Sequence, residues 1–80
     1  MNLKSLFFFK KVVEAKSISK VSHKSYISQS ALSQMMQRLE SKIGYQLLER
    51  SNKGVSLTEM GQIVYKYSGL ISRIYEEMNS

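Results

Sequence analysis

Cysteine, proline, tryptophan and aspartate are all missing from this 80-residue sequence, and histidine occurs once, at His23. Without cysteine there are no disulfides and no thiolate metal ligands, and one histidine cannot build a zinc site alone. Without aspartate a Ser–His–Asp triad is impossible. The glutamates are scattered, with no HExxH spacing and no phosphate-cradling glycine loop. Glu76 and Glu77 are adjacent but point to different faces of a helix. The chain is therefore expected not to be an enzyme and to hold no cofactor and no metal. No apolar run approaches the roughly 18–20 residues of a membrane span. The patch Leu6-Phe7-Phe8-Phe9 is too short for a signal peptide and precedes no small-residue cleavage site. A reducing, cytoplasmic location and no membrane association are the expectations. The lack of proline, which usually punctuates loops, points to short turns between helices.

Acidic residues are also scarce. Six acids face twelve lysines and arginines, giving a net charge of +6 and a pI near 9.7. In the first third, Lys4, Lys10, Lys11, Lys16, Lys20 and Lys24 are opposed only by Glu14. This balance suits an anionic partner, nucleic acid or anionic membrane, although charge alone suits a well-solvated surface equally well. At this length the chain is one small domain with a modest core.

What is present points further. Over Ser28–Glu40 the sequence reads SQSALSQMMQRLE. As a helix it has an apolar stripe of Leu32, Met36, Leu39 and Ile43. Ser30, Ser33, Gln34 and Gln37 make the other face, which is polar but almost uncharged. A helix that only meets water usually carries Lys and Glu there. Short hydroxyls and amides are suited to base edges in a DNA major groove. Ahead of it, Asn2 caps a first helix running to about Lys16, with Leu3, Leu6, Phe9 and Val13 inward and Phe7 and Val12 widening the stripe. Ser17 or Ser19 caps a short second helix ending near Ser25 and anchored by Ile18, Val21 and Ile27. Ser28 is a good N-cap for the third, and Gly44 ends it. Tyr45–Glu49 and Val55–Leu57 then read as two strands of a hairpin around a polar loop, Arg50 to Gly54. Thr58 caps a long last helix. The expected fold is mainly α with a small β-hairpin wing, a winged helix-turn-helix followed by a long C-terminal dimerisation helix. Residues 1–58 form the first part and 59–80 the linker helix packed on it as one unit.

The last helix is apolar over more of its surface than a monomer can cover. Ile63, Tyr67, Leu70 and Ile74 follow the 4-3-4 spacing of a coiled-coil seam, with Val64, Ile71 and Met78 beside it every seven residues. These seven residues are the expected homodimer interface.

At this point the sequence resembles the N-terminal DNA-binding domain of LysR-type transcriptional regulators. The resemblance rests on Leu3, Leu6 and Phe9, on Ser17-Ile18-Ser19, and most strongly on Ser28-Gln29-Ser30-Ala31-Leu32-Ser33 followed by Leu39-Glu40. Gly44, Leu47, Leu48, Arg50, Gly54, Leu57-Thr58-Glu59 and Gly61 continue it. It implies a dimer on double-stranded DNA at an inverted-repeat operator in a bacterium, with helix 28–43 in the major groove and wing 50–54 at the minor groove or backbone. Family members continue into a periplasmic-binding-protein-like domain that senses a small molecule. This chain looks like the DNA-binding half, so any small-molecule effector acts through a domain absent from it. Ser30 replaces a usual proline, and Gln34 a common basic residue, which favours adenine over guanine as a contact.

The candidate DNA-binding residues on the recognition helix are Ser28, Gln29, Ser30, Ser33, Gln34, Gln37 and Arg38. Ser28 also has a purely structural reading as an N-cap. The wing candidates are Arg50, Asn52 and Lys53, with a salt bridge as the other role for Arg50. Lys20 and Lys24 are candidate backbone contacts. Two rival readings are a protein-interaction module that docks a partner on the last helix and a basic membrane-surface binder.

Overall fold

The computed structural model describes residues 2–79, so residues 1 and 80, the ends of the two expected spans, lie outside it. The elements run α1 (Leu3–Ala15), α2 (Ile18–Ser25), α3 (Gln29–Ile43), β1 (Leu48–Ser51), β2 (Gly54–Leu57) and α4 (Glu59–Met78). The strands form one antiparallel hairpin with Leu48 opposite Leu57 and Arg50 opposite Val55. This is the four-helix, one-wing order expected from the sequence.

Capping chemistry sets the helix starts. Each N-cap side chain accepts a hydrogen bond from the backbone N–H three residues on: Asn2 from Ser5, Ser17 from Lys20, Ser28 from Ala31 and Thr58 from Gly61. Each such cap contributes about 1 kcal/mol. Ser17, not Ser19, caps α2; the Ser19 hydroxyl instead lies 3.2 Å from that of Ser17. The first three helices end on left-handed residues, Lys16, Tyr26 and Gly44, the last a glycine as its position requires.

The core is Leu6, Phe9 and Val12 of α1, Val21 of α2, Leu32, Met36 and Leu39 of α3, Leu47 just ahead of the hairpin and Leu48 at the start of β1. Met35, Ile43, Val55 and Met60 pack on its edge. Two expectations are corrected in α1. Leu3, expected inward, is exposed on the first turn, and Val12, expected at the edge of the stripe, is fully buried. The first strand also starts later than expected, at Leu48 rather than Tyr45. Leu47 and Leu48 are both buried, and two successive buried side chains break the alternation a strand requires. Tyr45–Leu47 is instead a connector held by its backbone. The Glu40 carboxylate accepts the N–H groups of Leu47 and Leu48 at 2.7 and 3.0 Å. The Leu47 carbonyl accepts the Thr58 N–H at 3.0 Å, and the Thr58 hydroxyl donates to the Gln46 carbonyl at 2.6 Å.

The same economy fixes the wing. Val55 N–H donates to the Lys16 carbonyl at 3.1 Å, tying β2 to the end of α1. Gly54 has φ +115°, and a Cβ there would lie 2.6 Å from that carbonyl. Only glycine meets both demands.

Candidate nucleic-acid interface

With its apolar stripe turned inward, α3 presents its polar face outward. At 100° per residue, Ser30, Gln34 and Gln37 stand opposite Leu32, Met36 and Leu39. Gln29, Ser30, Gln34, Gln37 and Arg38 are exposed and Ser33 is half-buried. Ser28 takes its structural role, its Oγ accepting the Ala31 N–H at 3.0 Å.

These residues divide among three depressions. Gln29, Ser30 and Ser33 face the wing across an open groove of roughly 450 Å³, whose other wall carries Arg50 and Ser51. Gln34 and Arg38 lie on the opposite flank of α3, facing the start of α1. Gln37 sits toward the helix end, beside Ser41 and Gly44. Ser17 and Ser19, at the start of α2, also line the first groove and were absent from the expected site. Their signal was the Ser17-Ile18-Ser19 motif, read in the sequence as a cap and as part of the family resemblance but not as a DNA contact.

Arg50 is exposed and makes no ion pair among the described residues, so the salt-bridge reading is not realised. Asn52 and Lys53 occupy the tip, where the Lys53 N–H donates to the Ser51 hydroxyl at 3.2 Å. Lys53 lines the far side of the wing with Lys16 and Gln62, away from the α3 groove. Lys20 and Lys24 are exposed on α2 and border neither groove beside α3.

On α4 the apolar surface is divided in two. Met60, Val64 and Ile71 rest on the domain's own core, so two of the seven expected interface residues, Val64 and Ile71, have intramolecular partners. Ile63, Tyr67, Leu70 and Ile74 form a separate exposed seam, Tyr67 and Ile74 each 56% accessible, with Met78 beyond it.

The perturbed ionisations lie away from these surfaces. The Lys10 ammonium, 2.9 Å from Glu14, and then the Tyr65 hydroxyl, donating at 2.8 Å, hold the Glu14 carboxyl below its ordinary range. This network joins α1 to α4. No group of histidines and acids that could hold a metal occurs among the described residues, and no described helix is long and apolar enough to cross a membrane.

Known proteins carry the same arrangement. The nitrogen assimilation regulatory protein nac of Klebsiella aerogenes is 39% identical over 77 residues, covering 96% of this chain and 25% of that protein. A crystal structure of the BenM DBD with catB site 1 DNA superposes with a TM-score of 0.88 at 38% identity, covering 99% of this chain and 89% of that one. BenM is a transcriptional regulator of Acinetobacter baylyi. A CbnR DBD–DNA complex gives a TM-score of 0.91 at 29% identity, covering 99% and 91%. The chain spans about a quarter of the length of the curated relatives it matches. The model of the bacterial regulatory helix-turn-helix proteins of the lysR family matches residues 3–62. By that match, and by the order of its helices and wing, the chain belongs to the lysR family.

Proposed function

We propose that this chain is a sequence-specific reader of double-stranded DNA in a bacterial transcription regulator. The observation that carries this reading is the outer face of α3, where exposed amides and hydroxyls stand beside the Arg50 wing while the apolar stripe fills the core. Gln29, Ser30, Ser33 and Gln34 contact base edges in the major groove, each good contact contributing about 1–3 kcal/mol of discrimination. Gln37 and Arg38 meet the backbone farther along. Arg50, Asn52 and Lys53 reach the adjacent minor groove or its phosphates. DNA-bound relatives of the same fold support the assignment.

Two copies join through the exposed seam Ile63, Tyr67, Leu70 and Ile74 and read an inverted repeat, with recognition helices about 34 Å apart or a multiple of it. In a longer parent, response to a small molecule would belong to a further domain.

The test is an anisotropy titration against a randomised duplex pool, followed by selection and re-titration across salt. A selected inverted repeat bound well above scrambled DNA is expected. Gln29→Ala or Gln34→Ala then relaxes preference at one base pair. Steep salt dependence without sequence preference would reduce the domain to a phosphate binder. Absence of binding at low salt would favour the rival reading, a module that docks another protein on α4. Light scattering checks the dimer: a concentration-independent monomer mass would refute it, and Tyr67→Glu should produce that mass.

A further inference from the structure

The flank of α3 opposite the wing carries a groove that the sequence motifs do not account for. Arg38 and Lys42 stand on α3 one turn apart, about 6 Å along the helix, and Lys4 faces them from the first turn of α1. Lys4, Arg38 and Lys42 are exposed and make no ion pair among the described residues. None of the six glutamates borders the groove. Ile27, Ala31, Met35 and Leu39 line it beside the cations and give it an apolar part. Like charges gathered beside an apolar lining, with no acid to balance them, call for an anion whose carrier has an apolar part. A deoxyribose-phosphate strand has both.

The dimensions of DNA say which strand. An α-helix with its side chains is about 10–12 Å across and the major groove about 12 Å wide, so a helix in the groove meets both phosphate walls. Arg50 stands on one flank of α3. The wall on the other flank comes to Lys4, Arg38 and Lys42.

We propose that Lys4, Arg38 and Lys42 form a second phosphate clamp, which grips the DNA strand on the side of the recognition helix away from the wing. Sugar methylenes lie over Ala31 and Met35 while the three cations take consecutive phosphates. Gln34, on the same flank, is thereby held in register with the bases. The clamp rests on the DNA-reading assignment above and adds Lys4 and Lys42 to it.

The experiment measures the salt dependence of binding for the 80-residue chain and for Lys4→Gln, Lys42→Gln and the double variant. The probes are a duplex selected from the randomised pool and a scrambled duplex. Each lost phosphate contact should flatten the log K against log salt slope by about 0.9 per bound protomer, which at 0.1 M salt is roughly an 8-fold weakening. The double variant should flatten it by about 1.8 and weaken binding roughly 60-fold, again per bound protomer. Both duplexes should be affected equally, because phosphates carry no sequence information. Lys66→Gln on the outer side of α4 should leave the slope unchanged. Both lysines are exposed, so thermal melts should match the unaltered chain. An unchanged slope in the double variant, with selected DNA still preferred, would overturn the clamp and leave the reading intact. Failure of the unaltered chain to bind either duplex at low salt would overturn both.

Discussion

Glu40 is the residue whose loss should most damage this fold without touching its DNA-reading face. One oxygen, Oε2, accepts the backbone N–H groups of both Leu47 and Leu48, residues whose side chains are buried in the core. Glu40→Ala removes that acceptor and leaves two enclosed amides without a partner. Each costs about 1–3 kcal/mol, so a total near 4 kcal/mol is expected. A chain of this length has roughly 4–12 kcal/mol of stability to lose. At about 4–8 °C per kcal/mol for so small a domain, the melting temperature should fall by roughly 15–30 °C. Glu40→Gln keeps a carbonyl oxygen able to accept both amides and loses only the charge assistance, so its drop should be less than half as large. The assay is circular dichroism at 222 nm, at fixed protein concentration because self-association shifts apparent stability. Amide exchange should show protection lost first at Leu47 and Leu48. A Glu40→Ala melt within about 5 °C of the unaltered chain would refute the reasoning. Equal losses for Ala and Gln would mean that charge, not the acceptor, holds the connector.

Further outcomes are expected. Gly61→Ala should cost at least about 3 kcal/mol, because its Cβ would lie 2.1 Å from the Leu47 carbonyl oxygen. Gly69→Ala, with nothing within 4 Å, should gain about 0.5–1 kcal/mol as a helix-interior replacement; urea melts of the pair check both signs. Tyr26→Asn should stabilise by about 0.5–1 kcal/mol, read as a rise in melting temperature, because a non-glycine residue at φ 55° is strained and its side chain, 98% exposed, packs on nothing. Because its folded pKa is depressed, Glu14 contributes stability that is present above the ordinary carboxylate pKa and lost as pH falls through the depressed one. Urea midpoints between about pH 6 and pH 3 should therefore fall less in Glu14→Gln, and superimposable profiles would count against the network. Gln34→Arg should move preference at one base pair toward guanine and change stability by no more than about 0.5 kcal/mol, as selection and melting of the same variant would reveal.

The helices were legible because their signals are local. Asn2, Ser28 and Thr58 cap where a short polar side chain precedes an apolar period, and Gly44 ends α3 where that period stops. The outward face of α3 was legible for the same reason, since helical geometry alone separates Gln34 and Gln37 from Met36 and Leu39. The strand start was not. Tyr45–Glu49 has strand-like composition, but Glu40 draws Leu47 and Leu48 inward together, a contact seven and eight residues distant that periodicity cannot encode. The partition of α4 was half legible. Its excess apolar surface was plain, yet Val64 and Ile71 joined the inner side only because α1 packs there. The groove of Lys4, Arg38 and Lys42 was invisible for a related reason: Lys4 and Lys42 lie far apart in sequence, and the packing of α1 on α3 brings them to one side.

The placement of the wing relative to α3 depends on backbone groups and on the Glu40 and Thr58 side chains, not on the side chains expected to touch DNA. The Lys16 carbonyl holds Val55, the Glu40 carboxylate holds Leu47 and Leu48, and the Thr58 N–H and hydroxyl hold Leu47 and Gln46. Each bond ties the hairpin or its entry and exit to a helix end, and none uses Arg50, Asn52 or Lys53. Substitutions at the tip can therefore alter what the wing touches without moving it. The same holds on α3, where Leu32, Met36, Leu39 and Glu40 carry stability while Gln29, Ser30, Gln34 and Arg38 stay exposed. A scaffold so divided lets the reading residues change one at a time, each at little cost to folding, while the close backbone approaches that require glycine at positions 54 and 61 belong to the frame.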